Sequence, residues 1–455
     1  MTLVAYILCV SSHDHFASGS DYVMPAVNHY YSRLWLMRLT TLLSLIAINL
    51  GCLGASGLAQ QPSKPSAKAA PPKEGPEGYL RLPVDDAQKK NQLEVNKILR
   101  ERKFEAGQKE LLVDFYERFN LARWTDPENY TLLPAFRKKL RNDLLTVGYG
   151  PVHDRLNNLT FEILRKLAQD NYHPAVRFNA MLMIGDLNAV EPGGGTKPAV
   201  PLPQAFEFML ATLEDPDQVD TVKVASLIGI IRHARLEVAN TQARDRAVAA
   251  MLRIAVSKRP PKRSPDGHAW MRMQAIDALA ALGGGSAQAD VVKALLGIIA
   301  EKDARFATRC AAATALTQVK LVEAASSDLS QAPAALGRLA LDIWAAEQAR
   351  QEKQEEEQIA IYSKSGEEIF ILRRGLQFRF HAVLEGLEAV EAVTAAPQKT
   401  LAGDLQKQIR NMLRLLADKA MDDEELIEKL DEKMQRFAET LGAPSRKPEV
   451  AVDDR

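Results

Sequence analysis

Histidine and cysteine are the side chains that most readily ligate transition metals, shuttle protons or attack carbonyls near neutral pH. Downstream of its first apolar run the chain has His153, His173, His233, His268, His381 and Cys310. None stands at a spacing that such chemistry uses. The sequence contains no C-x-x-C, no haem-attachment C-x-x-C-H, no H-E-x-x-H, no Walker A loop and no G-x-S-x-G elbow. The glycine runs at 193–195 and 283–285 follow no strand pattern and read as turns. Lys258, Arg259, Lys262 and Arg263 make a basic loop at 258–268, a composition that can meet phosphate or anionic lipid. No aromatic residue interleaves with them and Asp266 dilutes the charge, so the loop reads as a solvated turn. Tyr116, Trp124 and Tyr130 could line a groove, but such aromatics more often complete a core. The expectation is therefore no catalytic residue, no cofactor and no metal.

The regular polar positions are of another kind. The segment at 173–187, HPAVRFNAMLMIGDL, carries a basic residue followed by small and apolar residues at helical spacing. The pattern returns three times. Arg177, Lys223, Arg272 and Arg309 are each followed, three positions on, by a small residue: Ala180, Ser226, Ala275 and Ala312. Seven positions on stand Ile184, Ile230, Leu279 and Leu316. Offsets of three, four and seven share one helix face, and a small residue at the closest point lets two helix backbones approach. Each such helix follows another apolar-striped one, near 156–168, 203–213, 244–256 and 289–300. An acid sits in each connecting turn: Asp170, Asp217, Asp266 and Asp303. Aspartate there is suited to cap the second helix and to meet the positive end of its dipole.

Paired helices with a turn acid, a basic residue and a small helix position resemble HEAT repeats, over 156–319. The resemblance implies stacked helix pairs forming a curved binding scaffold, and no catalytic residues. The basic residues are unevenly spaced, so loop insertions vary. His233 stands where the other copies have Leu187, Leu282 and Val319. One helix pair cannot bury both of its faces, and three or more in a row are needed for stability.

The chain has 455 residues, 46% of them hydrophobic and only 6% aromatic, with balanced formal charge. That balance gives no global bias toward nucleic acid. Arg33 and Arg38 precede an apolar run at 42–50, and small residues end the segment at Gly57 and Ala59. This reads as a leader and signal peptide over 1–59, with Met37 as the true start. The run is shorter than the ~20 residues a bilayer demands, and Asn49 interrupts it. A retained membrane anchor is the alternative, and a lipoprotein at Cys52 a weaker one. Cys9 and Cys52 fall in that segment, leaving Cys310 as a buried apolar residue without a disulfide partner.

The Pro-, Ser- and Lys-rich stretch 60–83 reads as a disordered tether, and 84–150 as a helical N-terminal cap. Four HEAT-like repeats occupy 151–322, with long loops at 189–202 and 258–268. A C-terminal helical region follows at 335–441, with one long helix over 336–357, and a disordered tail over 442–455. The fold expected is all-α: a right-handed α-α solenoid with helical caps at both ends. The function expected is an exported, non-catalytic scaffold in the periplasm, envelope or extracellular space, whose partner is a protein. The alternatives are an enzyme or lyase-type accessory protein with a site assembled from distant residues, and a membrane-tethered structural protein.

Overall fold

The computed structural model describes residues 71–193, 197–238, 240–321, 326–357 and 370–442. The signal segment, Cys9, Cys52, Gly194, Gly195 and the tail beyond 442 lie outside the described residues.

The fold is all-α. An N-terminal block holds α1 (Gln92–Glu101), α2 (Gln108–Phe115) and α3 (Leu133–Val147), the last two joined by a π turn and two 3-10 turns. Tyr116 and Trp124 from this connection are fully buried, and the Tyr116 hydroxyl donates to Asp143 at 2.8 Å. Four helix pairs follow: α4 (Pro151–Gln169) with α5 (Pro174–Asp186), α6 (Pro203–Glu214) with α7 (Asp220–Arg235), α8 (Thr241–Ala255) with α9 (Pro265–Leu282), and α10 (Gln288–Ala300) with α11 (Phe306–Ala315). The C-terminal block is α12 (Ser326–Glu356), α13 (Arg373–Glu391), α14 (Gln398–Ala417) and α15 (Asp423–Thr440).

Neighbouring helices pack in sequence order. The second members touch one another in series, α5 on α7, α7 on α9, α9 on α11 and α11 on α13. First members do likewise from α6 through α8 and α10 to α12. Ala180, Ser226, Ala275 and Ala312 have no exposed surface. Ile184, Ile230, Leu279 and Leu316 are buried beside them. Cys310 is buried too, and burial pushes its thiol up to about 11, so it stays protonated and apolar in behaviour.

Three segments differ from the sequence expectation. The tether at 60–83 does not run free through its described part. β1 (Lys73–Glu74) and β2 (Leu80–Arg81) form an antiparallel hairpin, and Leu80, Leu82 and Val84 pack on the core. Apolar residues at alternate positions outweighed the polar composition around them. The loop at 189–202 is likewise a hairpin in its described part, β3 (Asn188–Val190) pairing with β4 (Val200–Pro201). Finally, α12 begins ten residues earlier than the expected 336 and runs through Pro333. Leu329 and Ala332 extend its buried face upstream, so packing overrides the lost backbone bond.

Candidate functional site

Arg177, Arg272 and Arg309, three of the four basic residues, share one bonding pattern. Each Nε–H donates to a carbonyl at the C-terminal end of its own pair's first helix: Ala168 at 3.1 Å, Ala255 at 2.7 Å and Ile299 at 2.8 Å. Those carbonyls are among the last four of a helix, which have no partner within it, and a cation there also suits the dipole. The terminal nitrogens then reach forward to the following element. Arg177 bonds Gln218 in the next turn. Arg272 grips Glu301 with both nitrogens, at 3.1 and 2.5 Å. Arg309 reaches Asp342 on α12 at 2.8 Å. One side chain thus closes its own hairpin and ties it to the next.

Lys223 breaks the pattern because an ammonium has no fork to divide between two acceptors. Among the described residues it donates no such bond, and its charge acts on Asp220. There the tie runs backward: Arg263, in the third pair's turn, holds Asp220 through two bonds of 2.7 and 2.8 Å. Arg305 likewise reaches back from the fourth pair's turn to Asp266.

None of the four turn acids caps the helix that follows it. His173 caps α5 and Ser264 caps α9, each followed by a proline at the first helical position. Proline pre-sets the helical φ, so the cap falls on the residue just before it. Asp170 ends α4, Asp266 lies inside the first turn of α9, and Asp217 and Asp303 sit in turns. The N-caps of α7 and α11 are Val219 and Arg305, neither with a side-chain capping bond.

The first two pairs meet at a denser polar joint. Glu191, on the connection after β3, is buried and bonded by both terminal nitrogens of Arg141 on α3, at 2.7 and 2.6 Å. Asn188 donates to it at 2.7 Å, and His153 Nε2 on α4 lies 3.5 Å away. Burial alone would raise this carboxyl. The neighbouring His153 and the bonds from Arg141 and Asn188 together outweigh burial and hold it down at about 2. So firmly held an anion is a poor proton acceptor and a good anchor for the hairpin. Asn157 on α4 donates to the Asn188 carbonyl at 2.9 Å, fixing the strand from a second side.

Across the joint, α7 caps the end of α5. Arg232 donates to the Gly185 carbonyl at 2.9 Å and to Asn188 Oδ1 at 2.6 Å. His233 Nε2 lies 3.1 Å from the same Gly185 carbonyl, which can only accept, so Nε2 bears the proton. The imidazole stacks on Phe206 at 5.8 Å between centroids. Burial, then the Arg232 charge, push its pKa down to about 4. Asp186, beside this cap, is pushed upward by burial although Arg137, Arg232 and Arg141 pull the other way. Two-fifths of its side chain remains open to solvent.

Gly185 and Gly229 make this joint possible. A Cβ on Gly185 would stand 2.8 Å from Gly229 Cα, and one on Gly229 3.0 Å from Gly185 Cα. Neither neighbour is a flexible side-chain end, so α5 and α7 touch backbone to backbone here.

Of the twelve positions singled out in sequence, the structure places the small four at buried contacts between helices and gives three of the basic four a common role. It brings the acids to no common site. The joint of Arg141, His153, Asn157, Asn188, Glu191 and Arg232 was missed. Its members come from three helices and a hairpin, and only His233, the odd residue in the repeat, signalled it. Among the described residues no three histidine, cysteine, aspartate or glutamate side chains are grouped to hold a metal ion, and no helix is long and apolar enough to cross a membrane. Comparison of the chain with family models, curated proteins and solved structures returns no match.

Proposed function

We propose that this chain is an exported HEAT-like α-solenoid that works as a non-catalytic binding scaffold for another protein. The serial contact of second helices from α5 to α13, pair tied to pair, is the observation that carries this reading. Such a row offers an extended surface whose shape is set by the pair-to-pair rotation. Phe178 and Leu182 on α5, Val224 and Ile228 on α7, and Trp270 and Met273 on α9 are all half-buried. Apolar side chains left partly open along one row are the material of an interface core.

The test is affinity capture from the native envelope with the wild-type chain and with a Phe178→Glu, Ile228→Glu, Met273→Glu variant. The expected result is a protein retained by the wild type and lost by the variant, with helical content and melting temperature unchanged. A partner held equally by both would remove the second-helix face from the proposal. Export rests on the sequence alone, and the mass of the mature N-terminus from cells tests it: cleavage near Ala59 is expected.

A further inference from the structure

The β1–β2 hairpin docks on one imidazole. His173, at the turn between α4 and α5, is stacked on Tyr130 with centroids 4.1 Å apart and planes 15° from parallel. Tyr79 of the hairpin meets the same ring edge-on at 5.2 Å and 82°. Three bonds surround this contact. Leu80 N–H donates to the Asn171 carbonyl at 2.9 Å, Asn171 Nδ2 donates to the Gly78 carbonyl at 2.9 Å, and Leu82 N–H donates to Thr125 Oγ1 at 2.8 Å. The imidazole is also the N-cap of α5. Its Nδ1 accepts from the Ala175 N–H at 3.2 Å, so Nδ1 carries no proton and the neutral ring's proton is on Nε2.

We propose that His173 is an acid-operated latch, whose protonation at Nδ1 releases the hairpin from the α4–α5 turn. The added proton converts the side-chain capping acceptor of α5 into a donor facing another N–H. It also places a cation at the positive end of the helix dipole. Both effects work against the seated ring, although stacking on Tyr130 returns part as cation–π attraction. Glu77 on the hairpin acts on the ring itself; Glu77, Arg81 and Asp126 act on its stacking partner Tyr130, and Asp170 on the α4–α5 turn acts on Arg177, one turn into α5. Burial lowers the His173 pKa and Glu77 raises it, with a net lowering. The neutral, capping ring is therefore complete above the ordinary histidine value and lost as pH falls through the lowered one. Release frees Leu80 and Leu82 from the core.

Hydrogen exchange of the Leu80 and Leu82 amides, corrected for intrinsic rates, tests the latch between about pH 7.5 and about pH 5, which bracket the histidine range. Protection of both is expected to fall by up to about tenfold per pH unit between the ordinary histidine value and the lowered one, and to level off below it, one proton being coupled. The Ile230 and Ile276 amides, inside α7 and α9, should stay protected. His173→Asn keeps a capping oxygen and removes the titration, so its hairpin should hold its protection in acid. Tyr79→Ala should loosen the hairpin already at neutral pH while the α5 amides are unchanged. Should His173→Asn fold poorly, the His173 ring resonance and the Leu80 amide shift of the wild type must titrate with one midpoint. Hairpin protection that does not respond to acid in the wild type, or that falls equally in His173→Asn, overturns the proposal.

Discussion

Arg272 and Arg253 each bond a glutamate, and of these two only Arg272 should matter to stability. Arg272 is buried, with Nε–H 2.7 Å from the Ala255 carbonyl and both terminal nitrogens on Glu301. Arg253 bonds Glu214 at 3.0 Å from a side chain 68% exposed. Replacing Arg272 by Met keeps the apolar stem but leaves the Ala255 carbonyl without its donor, in a residue with no exposed surface. An orphaned buried acceptor that loses a charged donor costs about 1.5–3 kcal/mol. Glu301 is 42% exposed and regains water, so its lost pairing adds no more than about 0–1 kcal/mol. The sum is a loss of about 1.5–4 kcal/mol. Arg272→Lys keeps the charge yet cannot serve both acceptors, and should fall between. Arg253→Met should stay within about 0.5 kcal/mol of wild type.

An array of packed pairs need not unfold in one step, so a single melting midpoint is a poor reporter. Native-state hydrogen exchange at amides within α8, α9 and α11 reads the joint itself. The Arg272→Met loss should be largest there and smaller at α4 and α15. If it comes within about 0.5 kcal/mol of the Arg253→Met value, the shared pattern of Arg177, Arg272 and Arg309 is a surface decoration, and it does not hold the pairs together.

Gly185→Ala should destabilise by up to about 2 kcal/mol in a thermal melt, since overpacking costs about 1–3 kcal/mol and better helix propensity returns up to about 1; an unchanged melt would mean α5 and α7 separate freely. Stability should also fall with acid through His233. Its folded pKa of about 4 lies below the ordinary value of 6.5, so the neutral form's contribution is whole above pH 6.5 and lost as pH drops toward 4. The loss reaches about 3 kcal/mol at most. His233→Gln should flatten that part of a pH–stability curve, and a slope that survives would assign it elsewhere. Ala275→Glu puts a charge at a fully buried contact and should cost several kcal/mol; barely moved melting would mean that the third pair's register is misread.

What the sequence made legible was periodic. Ala180, Ser226, Ala275 and Ala312 could be aligned because a helix repeats its geometry every few residues, and burial acts at each copy alike. The helix pairs near 156–319 followed for the same reason. What stayed hidden was bonding between distant parts. Arg141 and Glu191 are fifty positions apart, and nothing in either neighbourhood marks them as partners. The turn acids misled because aspartate in a turn is a fair cap on average, whereas the His173-Pro174 and Ser264-Pro265 pairs fix the cap elsewhere. The 71–83 stretch misled because its composition is that of a tether while three apolar side chains, Leu80, Leu82 and Val84, decide its placement.

The division of labour between apolar and polar links explains why the repeat is visible at all. Burial of small and branched residues between helices is strong but non-directional, and helices in contact through it can slide along one another. The arginine bonds are few and short-ranged, yet each names one carbonyl and one acceptor on the next element, which a slide of a single turn would break. Register therefore requires the same residue at the same helical offset in every pair that uses it. Lys223 is the exception that shows the rule, because its joint is tied from the opposite side by Arg263 on Asp220. The acid there is about half exposed, so this tie is more screened than the Arg272 and Arg309 ties, whose guanidiniums are buried. Arg246 and Arg253 on α8 add further exposed ties to Glu214 on α6, so the joint between second and third pairs is linked by several screened bonds, where the two joints after it each use one buried guanidinium.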